Sequence, residues 1–196
     1  WSNMVVKALS KLADTPIKII APSHGVVWRD NPQRVIDLYS RWANYIPDEG
    51  VVIAFASMYG NTENLADYIG SLLAKAGIRN IRTYDVGKTN VSFILSDIQR
   101  YKGVILGTCA YNTVMHPMME HLCNEIKIMA PKNKVLGIFG TSGWNGAGVK
   151  ALVKFAQDAK LEPVTPVVEA LGAPTKDKIE ESCKKFIPAF IAALNS

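Results

Sequence analysis

Ser57, Asn61 and Thr62 put two hydroxyls and an amide within six residues, in the segment Ser57-Met-Tyr-Gly-Asn-Thr62. The apolar run 51–56 before them reads as a buried central strand. After them Leu65, Ile69, Leu72 and Leu73 recur at helical spacing. Strand, short loop and helix start aim unpaired backbone N–H groups and the positive end of a helix dipole at one point, which suits a phosphate. Neither the Gly-x-x-x-x-Gly-Lys-Ser/Thr loop of triphosphates nor the Gly-x-Gly-x-x-Gly loop of dinucleotides follows this strand. A hydroxyl-rich loop without Lys or Arg suits one terminal phosphate monoester. The same residues also suit an ordinary helix N-cap, by Thr62, Asn61 or Ser57.

The elements that must position this loop alternate along the chain. The pattern predicts strands at 51–56, 79–85, 102–107, 133–139 and 163–169, and helices at 62–76, 91–99, 115–128, 146–159 and 175–194. That is an α/β fold, a doubly wound five-stranded parallel sheet, flavodoxin-like, with strand order 2-1-3-4-5. Ligands bind such sheets at the carboxyl ends of the strands, beside the first and third. The loops after the third and fourth strands should therefore meet the phosphate loop. Thr108-Cys-Ala-Tyr-Asn112 brings the aromatic face of Tyr111. Gly140-Thr-Ser-Gly-Trp-Asn-Gly-Ala-Gly148 brings Trp144 among four glycines, which let backbone approach a flat ligand closely. Trp144 reads either as a stacking wall for the isoalloxazine of FMN or as an anchor folded back on its own loop. Gly146-Ala-Gly148-Val-Lys-Ala151, with Glu169 downstream, imitates a dinucleotide fingerprint, but several residues separate it from its strand.

Upstream, Met4, Val5, Ala8, Leu9 and Leu12 give residues 1–12 the apolar face of a helix. Residues 16–22 read as a short strand, and an irregular loop carrying His24 follows. Asn31 and Pro32 mark a helix start, with Asn31 as cap and Pro32 as first helical residue. A boundary at the turn 45–50 separates residues 1–46 from a domain at 47–196. The net charge of +5 is dispersed, and Lys176, Lys178, Lys184 and Lys185 read as a solvated helix face. No nucleic-acid partner is expected. No apolar run reaches bilayer length and no secretory signal is seen, so no membrane association is expected. Cys109, Cys123 and Cys183 are far apart with no Cys-x-x-Cys, which fits free thiols in a reducing, cytoplasmic compartment and no cysteine-held iron–sulfur centre. A first residue of Trp rather than Met fits a piece of a longer protein.

The three loops together resemble those of flavodiiron proteins (A-type flavoproteins). Ser57-Met-Tyr-Gly-Asn-Thr62 matches the phosphate loop of that family, and Thr108-Cys-Ala-Tyr-Asn112 and Thr141-Ser-Gly-Trp144 fall where its other flavin loops fall. Ala21-Pro-Ser-His-Gly25, Trp28-Arg29 and the helix ending Tyr39-Ser-Arg-Trp42 resemble the end of its first domain. The resemblance covers the whole chain. It implies that residues 1–46 are the C-terminal tail of a metallo-β-lactamase-like diiron domain plus linker, and that residues 47–196 are the FMN domain. The implied phosphate contacts are Ser57, Met58, Tyr59, Gly60, Asn61 and Thr62. The implied ring contacts are Thr108, Cys109, Ala110, Tyr111 and Asn112 from one loop, and Ser142, Gly143, Trp144, Asn145 and Gly146 from the other.

In that family FMN passes electrons to a non-haem diiron site that reduces O2 or NO, and the resemblance maps the last iron ligand onto His24. The His-x-Glu-x-Asp-His run that supplies other ligands does not occur in this chain. His116 and His121, five apart around Pro117, are expected to be surface or helix-capping residues. FMN without a stable metal is therefore the expectation. The resemblance also implies a rubredoxin-like or other redox donor and a homo-oligomer, a head-to-tail dimer. Cys109-Ala110 stands where many relatives have Pro-Thr, and Cys109 is expected to be a buried small residue. None of the three loops contains Asp or Glu. A neutral pocket penalises anionic reduced flavin less than an acidic one, which predicts a potential above that of an acidic flavodoxin. Two other readings stay open. One is a free-standing flavodoxin-like carrier or flavin reductase with residues 1–46 as an extension. The other is a response-regulator-type binding module, which wants an aspartate where Ser57 stands.

Overall fold

The structure is a computed structural model that describes residues 2–172 and 175–196. Trp1, expected to open the first helix, and the side chain of Lys176, expected on a solvated face, lie outside the described residues. The chain forms two compact units, Trp1–Pro47 and Asp48–Ser196.

In the first unit, α1 (Ser2–Lys11) has no buried residue. Instead of a strand at 16–22 there is a single antiparallel bridge, Ile20 to Trp28. Pro16 and Pro22 flank it and offer no N–H for further pairing. The second helix, α2 (Pro32–Ala43), starts as its residues predict: the Asn31 side chain accepts the Arg34 N–H at 3.2 Å and proline fills the first turn. Ala43 is the one buried hydrophobic residue among the described residues of this unit.

The second unit is a parallel sheet covered on both faces. Its strands are β1 (Asp48–Ala56), β2 (Ile81–Asp85), β3 (Tyr101–Tyr111), β5 (Val135–Ser142) and β6 (Val168–Leu171), in the order β2-β1-β3-β5-β6. A two-residue strand, β4 (Val114–Met115), pairs antiparallel with the end of β3. Without β4 the order is the expected 2-1-3-4-5. Residues 50–56 of β1 are all buried because helices cover both sides. Successive side chains of β1 enter opposite cores. Val52, Ala54 and Ala56 pack with Ile94 and Ile98 of α4 (Val91–Arg100), Leu122 and Ile126 of α5 (Pro117–Met129), and Leu152 and Phe155 of α6 (Ala147–Asp158). Val51, Ile53 and Phe55 pack with Leu65 and Ile69 of α3 (Asn61–Lys75) and with Phe186 and Phe190 of α7 (Lys176–Asn195).

Among the strand boundaries that differ from the sequence expectation, three have a cause visible in the pairing. The third strand runs on to Tyr111, because residues 107–109 pair with β5 and Ala110 and Tyr111 pair with β4. Most of the expected loop 108–112 is therefore strand. The fourth strand likewise runs to Ser142, held between β3 and β6. The fifth starts at Val168 instead of 163. Pro163 and Pro166 supply no ladder donor, so after one bridge from Pro163 to Leu136 regular pairing begins only at Val168 with Phe139.

Candidate functional site

The carboxyl ends of β1, β3 and β5 open into one cavity of about 460 Å³. That volume is within the range of small-molecule sites. Ser57, Met58, Tyr59, Asn61 and Thr62 form one wall, Cys109 to Thr113 a second, and Thr141 to Asn145 a third. Gly172, just beyond β6, completes it.

Below the first wall Gly60 is the N-cap of α3, with a φ of 84° that glycine adopts without strain. No side chain caps this helix, so the capping alternative for Thr62, Asn61 or Ser57 does not hold. Ser57 instead accepts the Gly60 N–H on its hydroxyl at 3.1 Å and folds the loop over the helix start. The hydroxyls of Thr62 and Thr141 meet at 2.8 Å and tie the start of α3 to the end of β5. In the third wall Ser142 accepts the Gly146 N–H at 3.1 Å, and Asn145 accepts the Ala147 N–H at 3.2 Å. The floor is thus built from hydroxyls and helix-start amides, and among the described residues no charged side chain lines the cavity.

The rim has the opposite character. Trp144 is 81% exposed and Tyr59 85% exposed. Trp144 is therefore not folded back onto its own loop. Tyr111 is 38% exposed and is braced edge-on by His116, ring centroids 6.0 Å apart. Large aromatics left in water around a neutral cavity are suited to stacking on a flat, uncharged ring.

Three of the residues expected in this site stand outside its wall. The Thr108 hydroxyl is fully buried, donating to the Cys109 carbonyl at 2.9 Å and accepting the His116 N–H at 3.1 Å. Gly60 and Gly146 are helix N-caps. A Cβ on Gly146 would collide with the Glu169 carboxylate, so the glycines of the dinucleotide-like run serve packing. In turn the cavity recruits Thr113, Thr141 and Gly172, which are not among the expected contacts. Asn112 and Thr113 form a two-residue hairpin turn between β3 and β4, with φ of 43° and 64°. An Asn at the turn is a usable signal, and Thr141 stands within the glycine-rich loop 140–148 that the sequence already marks.

Cys109 lies in the second wall and is nearly buried. Burial pushes its thiol up, against a smaller opposing effect of the Met58 backbone. Burial pushes Cys123 to about 12, with help from Glu120, and Cys183 to about 11. All three are free thiols that remain protonated at neutral pH. His116 caps α5, accepting the Met118 N–H on Nδ1 at 3.2 Å. His24 is exposed, and among the described residues no group of three or more His, Cys, Asp or Glu could hold a metal ion. No helix among the described residues is long and apolar enough to cross a membrane.

Comparison with known proteins agrees with this layout. The flavodoxin family model matches residues 53–186. An anaerobic nitric oxide reductase flavorubredoxin of Escherichia coli is 33% identical over 183 residues, which are 92% of this chain and 38% of that protein. The rubredoxin oxygen:oxidoreductase of Desulfovibrio gigas superposes with a TM-score of 0.87 at 26% identity, over 99% of this chain and 49% of its own. The flavodiiron protein of Giardia intestinalis shares the fold, with a TM-score of 0.88 at 22% identity, over 100% of this chain and 49% of its own. The chain therefore spans less than half the length of these relatives.

Proposed function

The chain belongs to the flavodoxin family, and from that premise we propose that its cavity is the FMN site of an electron-transfer domain in a flavodiiron oxidoreductase. One observation carries the reading: Trp144 and Tyr111 stand exposed on a neutral cavity whose floor is a helix start that no side chain caps.

In this reading the first-turn amides of α3, with Ser57, Asn61 and Thr62, hold the phosphate. Its charge is met by the helix start and not by a cation, so a monoester fits better than a di- or triphosphate. Trp144 and Tyr111 supply the stacking faces. Backbone groups of 110–112 and 142–145 meet the ring edge, and Met58 and Tyr59 shield the opening from water. When bound, FMN supplies reversible one- and two-electron transfer, chemistry that no side chain here offers. The chain's own part is to hold, orient and electrostatically tune the ring. With no carboxylate among the described residues of the wall, the pocket does not oppose negative charge on the ring.

The whole-protein reading goes further. Electrons would arrive from a rubredoxin-like or other donor and leave for a diiron site that reduces O2 or NO. Residues 1–46 would belong to the domain carrying that site, with His24 as one ligand. Support comes from their small core: apolar side chains such as Met4, Ile19 and Val26 stay exposed while Ala43 is the one buried hydrophobic among the described residues of this unit. One exposed histidine does not make a diiron site.

Titrating flavin-free protein with FMN tests the proposal. The expected result is stoichiometric binding, with quenching of tryptophan fluorescence as Trp144 is covered. A protein that stays colourless and unquenched at saturating FMN would overturn it.

A further inference from the structure

We propose that Thr141 is a positioning residue for the phosphate end of this cavity and acts through Thr62; the inference rests on the FMN reading above. Thr62 is the second residue of α3 and Thr141 lies near the end of β5, 79 residues later. Thr62 is fully buried and Thr141 is 6% exposed, and both line the cavity. Their hydroxyl oxygens are 2.8 Å apart, and either can be the donor.

Packing does not require this pair. Two valines would have the same shape and leave no buried polar group to satisfy. What the hydroxyls add is direction. A helical threonine divides its side chain between two rotamers, and the bond to Thr141 selects one. The direction of the proton then depends on the ligand. If Thr62 donates to Thr141, its oxygen turns only lone pairs to the cavity, which repel an anion. If Thr141 donates to Thr62, the proton of Thr62 is free for the ligand. A phosphate selects the second arrangement, a chain running from Thr141 to Thr62 to the phosphate oxygen. Such chains strengthen each member, and a hydrogen bond to a charged acceptor is among the stronger ones. Ser57 already accepts the Gly60 N–H and keeps its own proton for the same oxygens.

The test separates the two ends of the ligand. The dissociation constants of FMN and of riboflavin, which has the ring but not the phosphate, are measured for the full chain and for Thr141→Val. FMN binding should weaken about tenfold, while riboflavin binding changes less than about twofold. Thr141→Ser should restore FMN binding. In a Thr62→Ala background, Thr141→Val should cost FMN nothing further, because its route to the phosphate is gone. If the valine variant does not fold, Thr141→Ala replaces it in the same cycle. Parallel weakening of FMN and riboflavin, or full additivity with Thr62→Ala, would show a merely structural role and overturn the inference while leaving the FMN site intact. Failure of the unaltered chain to prefer FMN over riboflavin would overturn the phosphate reading itself.

Discussion

The two ends of the sheet handle polar groups in opposite ways. At the amino ends they are satisfied within the protein. The Lys134 ammonium donates to the carbonyls of Gln99 and Tyr101 at 2.9 and 2.8 Å, and Lys102 donates to the Leu194 carbonyl at 2.7 Å. Arg100 pairs with Asp48 at 2.9 Å and lies over the Tyr101 ring. At the carboxyl ends a helix begins without a side-chain cap and large aromatics face water. The same fold tolerates both. The difference marks which end satisfies its polar groups within the protein and which leaves them for something that arrives later.

If that contrast is right, substitutions at the two ends should have separable effects. The largest belongs to Lys134. Burial lowers its ammonium to about 8, opposed by the charge of Asp48. A folded value below the ordinary 10.5 means that the unfolded chain binds the proton more readily. Lys134 should therefore cost stability below pH 8, and the cost should fade as pH rises from 8 to 10.5. Relative to Lys134→Met, the natural chain should gain about 3 kcal/mol across that window. Urea midpoints of both proteins at pH 7 and 10.5 measure it, and parallel curves would mean the two carbonyls hold the charge without penalty. FMN affinity should not respond.

Next comes Trp144→Ala at the opposite end. Loss of one stacking face should weaken FMN by about 2 kcal/mol, roughly thirtyfold. Unfolding stability should move by less than about 0.5 kcal/mol, since the ring packs on little else. A stability loss as large as the binding loss would place Trp144 among structural residues and erase the contrast. The smallest effect belongs to Thr113. A β-branched residue at φ 64° is strained, so Thr113→Gly should raise stability by about 0.5 kcal/mol after the entropic cost of glycine. Thermal unfolding reads this directly, and no gain would mean that the turn is relaxed.

Much of this was legible before the structure. Hydrophobic runs such as 51–56 and the spacing of Leu65, Ile69 and Leu73 placed the parallel sheet and its helices, because burial on two faces leaves an unbroken apolar signature. The loop 57–62 and the Trp144 turn were identified by composition. The errors sit where tertiary pairing outweighs local pattern. The strand ends at Tyr111 and Ser142 exist because neighbouring strands offer them partners, and nothing within residues 108–112 or 139–142 says so. The late start of β6 follows from two prolines that a periodicity count ignores.

From its own order of residues the chain determined which groups are available: hydroxyls and amides after the first strand, aromatics after the third and fourth, and no charge among them. Only the folded chain decided which groups meet. Thr62 and Thr141 become partners, Thr108 turns away behind the wall, and Trp144 stays in solvent. The reason is that composition and spacing act along the chain over a few residues. A cavity is made between chain segments far apart in sequence, and their approach is set by strand register and helix packing.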